Sequence, residues 1–157
     1  MTLLTARRGV LVHHADSLEL DYPKDVDLLL ADPPYGKVYQ SNHAGPGETI
    51  DGDADQVKVD AILRRAWASL RPHRHAYVFG PPRDLGEHAM AELVWDKKYM
   101  AGGGLDGAWG TAHEPIWFYA HRYKSEPRAA ELTARLRQGS VIREAAIRGS
   151  AKRNHPN

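Results

Sequence analysis

Val26-Asp27-Leu28-Leu29-Leu30-Ala31-Asp32-Pro33-Pro34-Tyr35 is the stretch that decides how this chain is read. Its first six residues are apolar apart from Asp27, and two prolines follow that cannot continue a sheet ladder. A nearly unbroken apolar strand predicts burial on both faces, as in a parallel α/β sheet. The polar turn then falls at the carboxyl end of a strand, where open α/β sheets bind ligands. An ordinary turn is the rival reading, because two prolines stop a strand and Asp accepts backbone hydrogen bonds.

The flanking sequence supports the first reading. Residues 10–15 read as a strand that ends at Asp16, and residues 36–54, rich in Gly, Asn, Asp and Pro, as a long loop. Val59, Ile62, Leu63, Ala66, Trp67 and Leu70 recur at helical spacing and predict a helix over 55–70, stopped by Pro72. Residues 75–79 predict a strand closed by Gly80-Pro81-Pro82. Residues 84–92 predict a second helix, and 93–95 and 114–120 two more strands, on either side of a glycine-rich loop at 101–110. From about 125 the chain reads as basic and, from about 127, helical, with a break at Gly139-Ser140. Strands alternating with helices argue for a parallel or mixed α/β sheet, and there is no internal repeat.

At 157 residues the chain is read as one domain, long enough to bury a core without staples. It has no cysteine, which excludes a disulfide framework, a zinc finger and a thiol nucleophile and fits a reducing cytoplasm. No apolar run approaches the roughly 20 residues of a membrane helix. The start lacks the apolar core of a secretory signal. Net charge is +1, but residues 1–60 carry 5 basic and 11 acidic side chains, and residues 121–157 carry 9 and 3. That basic end suits a phosphate backbone or, equally, a solvated helix face.

Methyl transfer to an exocyclic amino group is the chemistry that needs Asp-Pro-Pro-aromatic at this place. Such a nitrogen has its lone pair delocalised into the base and carries two N–H donors. The Asp32 carboxylate accepts one, and the Pro33 carbonyl accepts the other. Pro34 keeps the segment extended, so the acceptors are preorganised. Tyr35 stacks on a base that has left its duplex. In the following loop, Lys37 is expected near phosphates and Tyr39 near substrate, a plain solvated loop being the equal rival.

These residues resemble a known family. Asp32-Pro33-Pro34-Tyr35-Gly36 is similar to the catalytic motif of S-adenosylmethionine-dependent DNA amino-methyltransferases, and its leading Asp resembles the adenine-N6 members. His14-Ala15-Asp16-Ser17-Leu18, Leu70-Arg71-Pro72, Val94-Trp95-Asp96-Lys97 and His113-Glu114-Pro115-Ile116-Trp117-Phe118 resemble, in order, further segments of that family. The likeness covers roughly residues 10–122. It implies a partial Rossmann-like methyltransferase sheet with flanking helices, and DNA and S-adenosylmethionine as partners. It places Asp16 and Asp32 beside the cofactor, and implies a phage, restriction-modification or orphan methylase setting. RNA, cytosine N4 and a protein amide are the alternative substrates.

The family's Phe-x-Gly-x-Gly cofactor loop does not precede residue 32. In the beta-class motif order that loop comes last, and Arg153-Asn154-His155-Pro156-Asn157 resembles the segment leading into it. The expectation is an incomplete methyltransferase domain over residues 1–157, finished by further chain, a second polypeptide or a homodimer. Its rival is a non-catalytic remnant or subunit that binds nucleic acid or a partner.

Other signals are read structurally. Gly102-Gly103-Gly104-Leu105-Asp106-Gly107 matches a dinucleotide fingerprint, but a strand follows it where a helix is needed. Trp109 in that loop could touch a base. His13 and His14 point to opposite faces, and His73 and His75 lack a completing ligand, so no metal site is expected. Trp67, Phe79, Trp95, Trp117 and Phe118 are read as core.

Overall fold

The computed structural model describes residues 2–7, 9–36, 53–98, 110, 112–121 and 139–144. Strands β1 (Thr2–Arg7) and β2 (Val10–His14) form an antiparallel hairpin that is its own two-stranded sheet. Strand β3 (Val26–Ala31), helix α1 (Gln56–Ala68), and strands β4 (Leu70–Phe79), β5 (Ala91–Asp96), β6 (His113–Ala120) and β7 (Val141–Arg143) follow. The main sheet has the order β3-β4-β6-β5-β7. The β3–β4 and β5–β7 pairs are parallel, and β6 is antiparallel to both its neighbours. The architecture is a mixed α/β sheet, as expected.

Helix α1 forms where the apolar periodicity places it. Asp55 caps it by accepting from the Lys58 backbone N–H at 2.9 Å, satisfying one of the first-turn donors. Val59, Leu63, Ala66 and Trp67 are its buried residues, one stripe at helical spacing. Val59, Leu63 and Trp67 pack with Leu70, Ala76, Val78, Leu85 and Tyr119 into the core. Trp67 meets Tyr119 edge-on, with ring centroids 6.0 Å apart.

Four expectations need correction. First, β3 is not buried on both faces. It is an edge of the described sheet; Leu29 and Ala31 pack on the core, while Leu28 is 53% and Leu30 66% exposed. The apolar run encodes two faces, and the described residues cover one. Second, residues 84–90 are not helical. Gly86 has φ +85°, and its N–H donates to Asp84 Oδ1 at 2.8 Å, a local turn that competes with a helix. Third, Val141–Arg143 is a strand beside β5, not helix. Its β-branched Val141-Ile142 pair, just past Gly139-Ser140, suits a strand better; the rest of the basic C-terminal stretch lies outside the described residues. Fourth, β4 begins at Leu70 rather than at residue 75. Pro72 follows the helix end but stands inside the strand, where the register jumps from Val26↔Leu70 to Leu28↔His75 and His73 takes φ +62°. Asp27 spans that irregularity by accepting from both Arg71 and Arg74.

Of the expected core aromatics, Trp67 is buried. Phe79, Trp95, Trp117 and Phe118 are half-buried. No described helix is long and apolar enough to cross a membrane.

Candidate active site

The Asp32–Tyr35 corner leaves the carboxyl end of β3 and is held from three sides. Arg83, with only 4% of its side chain exposed, donates to the Pro34 carbonyl at 2.8 Å. The same guanidinium donates to the Gln56 side-chain oxygen and lies 3.5 Å from Asp60 Oδ1, so it ties the corner to α1. Beyond the corner, Gly36 (φ +77°) donates its N–H to the buried Asp53 at 2.7 Å. Gln56 returns to the Asp53 carbonyl at 2.8 Å. A corner so tied keeps its acceptors in place before a substrate arrives.

Tyr35 is fixed at both ends. Its hydroxyl donates to Asp32 Oδ1 and also faces Glu114 Oε1 at 3.2 Å. Its ring edge lies against Gly80, which has φ +89°; a Cβ there would sit 2.5 Å from Tyr35 Cδ1 and Cε1. Gly80 is itself held, donating to the Pro115 carbonyl and accepting from Trp117 Nε1, each at 3.0 Å. Burial, the hydrogen bond to Asp32 and the charge of Glu114 together push the Tyr35 phenol far above its ordinary range. The group is therefore a neutral hydroxyl donor at every physiological pH.

Glu114 opens β6 and Lys97 follows β5. Their paired register, Trp95↔Glu114 and Asp96↔His113, brings them together, with Lys97 Nζ 2.8 Å from Glu114 Oε2. Lys97 also sits 5.1 Å from the centre of the Trp95 ring.

On the α1 side of β3 lies a cavity of about 640 Å³. Asp16, Asp32, Pro33 and Pro34 border it together with Lys58, and Leu29, Ile62 and Leu63 supply an apolar wall. Asp16 accepts from the Leu18 N–H at 2.9 Å and lies 3.9 Å from Lys58 Nζ. The two carboxylates singled out in the sequence thus share one cavity, and the two prolines share it with them. Tyr35 is not part of that wall. Lys37 and Tyr39 lie outside the described residues, as do nearly all of the glycine-rich loop and Trp109.

Four contributors to the corner escape a reading of the sequence by itself. Arg83, Asp53, Gln56 and Gly80 carry no motif of their own. The Gly80-Pro81-Pro82 run marks a turn, but nothing in it announces contact with Tyr35. Glu114 and Lys97 stand in stretches that resemble the family; His113-Glu114 reads as structural or substrate-side, and nothing local pairs Glu114 with Lys97 or Tyr35.

No known family's sequence pattern matches the chain, and no curated protein matches it. Solved structures do. TTHA0409 of Thermus thermophilus, assigned as a DNA modification methylase and solved with S-adenosyl-L-methionine, superposes with TM-score 0.49 at 16% identity, over 82% of this chain. M1.HpyAVI superposes with TM-score 0.51 at 15% identity, over 89% of this chain and 70% of its own. The fold is shared with M1.HpyAVI over most of this chain. The chain spans 66% of the TTHA0409 chain, about two thirds of that length.

Proposed function

We propose that this chain carries the catalytic corner of a DNA amino-methyltransferase, directing a methyl group from S-adenosylmethionine to adenine N6. The observation that carries the reading is the tied Asp32-Pro33-Pro34-Tyr35 corner at the end of β3, on the rim of a cavity that Asp16 also borders.

The cavity suits the donor. Its volume of about 640 Å³ lies in the range of small-molecule sites. Its wall combines acceptors for hydroxyl and amino groups (Asp16, Asp32), a cation for a carboxylate (Lys58) and an apolar side (Leu29, Ile62, Leu63). When bound, S-adenosylmethionine supplies a methyl carbon on a cationic sulfur. Asp32 accepts one N–H of the target amino group through the carboxylate oxygen that Tyr35 leaves free, and the Pro33 carbonyl is read as accepting the other. With both hydrogens held, the nitrogen lone pair is less delocalised and free to attack. The proton lost from nitrogen goes to Asp32 and then to water. Tyr35, Lys37 and Tyr39 are read as the substrate side.

The test is methyl transfer from labelled S-adenosylmethionine to defined DNA, RNA and protein substrates, with the Asp32→Ala variant beside the wild type. Label on adenine N6 of DNA, lost in the variant, is the expected result. Label on cytosine or RNA corrects the substrate, and full turnover by Asp32→Ala overturns the mechanism.

A second reading, a subunit that needs a partner chain, is favoured by one observation. Among the described residues β3 has no neighbour on its outer edge, and its own Leu28 and Leu30 are exposed. A cofactor titration separates the two readings. Binding only after a second polypeptide or a second copy is supplied favours the subunit.

A further inference from the structure

Three stretches far apart in sequence meet behind the catalytic corner. Asp32 and Tyr35 come from the end of β3, Lys97 from the end of β5 and Glu114 from the start of β6. They form one line of polar contacts: Asp32 Oδ1, the Tyr35 hydroxyl, Glu114 Oε1 and Oε2, then Lys97 Nζ. The last contact is 2.8 Å and joins side chains only 20% and 22% exposed.

The proton count in this line is informative. The phenol has one proton and faces two carboxylates. It donates to Asp32 Oδ1, so Glu114 Oε1 at 3.2 Å is a second, longer acceptor for the same hydrogen. Two carboxylates converging on one hydroxyl repel each other unless a cation balances them. Lys97 supplies that cation on the far oxygen of Glu114. Without Lys97, the charge of Glu114 beside the Tyr35 hydroxyl is uncompensated. Without Glu114, the hydroxyl is held from the Asp32 side alone, and Tyr35 loses the second anchor that fixes where its hydroxyl meets Asp32. Gly80 closes the remaining side by lying against the ring edge.

We propose that Glu114, held by Lys97, is a positioning residue that anchors the Tyr35 hydroxyl and through it orients the Asp32 carboxylate toward the amino group. Glu114 touches no substrate in this scheme. Tyr35 then has a task besides any stacking on the base: it occupies one oxygen of Asp32 and leaves the other for the substrate. This rests on the methyltransferase reading for its purpose, but the contacts themselves can be tested without turnover.

The experiment uses the full-length chain and two readouts. The first is the phenol ¹³Cζ signal of Tyr35 at about pH 7 in ¹³Cζ-tyrosine-labelled protein, assigned with Tyr35→Phe. Glu114→Gln replaces a charged acceptor beside the phenol by a neutral one, so the signal moves upfield, away from the phenolate position. Lys97→Met leaves Glu114 uncompensated and moves it downfield. An unchanged signal in Glu114→Gln overturns the proposal, whatever the protein's activity.

The second readout is methyl transfer to adenine-containing DNA. Glu114→Ala lowers kcat by roughly tenfold or more with KM for DNA within about twofold, because misplacing a reacting group costs rate rather than binding. Glu114→Gln, which keeps an acceptor oxygen, recovers most of that loss. Wild-type kcat in Glu114→Ala overturns the proposal even where the ¹³Cζ signal moves. Absence of transfer by the wild type to any substrate, with a second polypeptide supplied as well as without, defeats the methyltransferase reading, and the ¹³Cζ signal alone then decides whether Glu114 anchors Tyr35.

Discussion

Replacing Gly80 by Ala tests the geometry of the corner most directly. A Cβ at Gly80 would lie 2.5 Å from Tyr35 Cδ1 and Cε1, and the backbone there has φ +89°. Carbon atoms in good contact sit about 3.5–4.0 Å apart, so one partner must move by roughly 1 Å or more. Gly80 cannot easily retreat, since its N–H and carbonyl are both bonded, to Pro115 and to the Trp117 indole. The ring of Tyr35 therefore moves, and its hydroxyl leaves Asp32. Two costs add: about 1–2 kcal/mol for a side chain in the left-handed region and about 1–3 kcal/mol for overpacking. The expected loss is about 2–5 kcal/mol, read as a fall of roughly 1–2.5 M in the urea midpoint followed by circular dichroism. Gly86→Ala is the control. Gly86 has φ +85° with nothing within 4 Å of its would-be Cβ, so it carries the backbone cost alone. Equal losses in the two variants, or an unmoved Tyr35 ring signal in Gly80→Ala, would refute the contact.

Three other outcomes are expected. Arg83→Met strips the Pro34 carbonyl and Gln56 of a buried partner and lowers stability by about 1–3 kcal/mol in the same urea assay, with the corner loosened in hydrogen exchange. Leu63→Ala opens the core against Trp67 and Leu70 and lowers stability by about 2–4 kcal/mol, leaving the Tyr35 ¹³Cζ signal where it was. The Arg71 and Arg74 guanidiniums beside Asp27 hold its carboxyl below the usual carboxylate range. The native state therefore keeps that carboxyl ionised more readily than the unfolded chain does. Its contribution is present above the unfolded value near 4 and is lost as pH falls through the lower folded value. Asp27→Asn makes the acid side of the stability–pH curve shallower, measured by thermal melts between about pH 2 and 6.

Much of the fold is legible in the sequence because it rests on local rules. The α1 stripe of Val59, Leu63, Ala66 and Trp67 repeats at helical spacing, and Asp55 supplies the cap where the stripe starts. The β3 strand and its Pro-Pro stop need only composition. The departures have the same origin. Residues 84–90 contain enough helix formers to suggest a helix, but the Asp84–Gly86 turn is a short-range competitor that outweighs them. The apolar residues of β3 suggest burial on both faces, whereas burial depends on what lies beside them.

Local sequence places the candidate corner, Asp32-Pro33-Pro34-Tyr35 at a strand end with Asp16 upstream, because turn residues and apolar runs act over a few neighbouring positions. What holds that corner comes from tertiary contacts. Arg83 reaches Pro34 across 49 positions and Glu114 reaches Tyr35 across 79. Contacts at such separations are made by the register of β4, β5 and β6, and no local pattern of residues encodes which side chains a sheet will bring face to face.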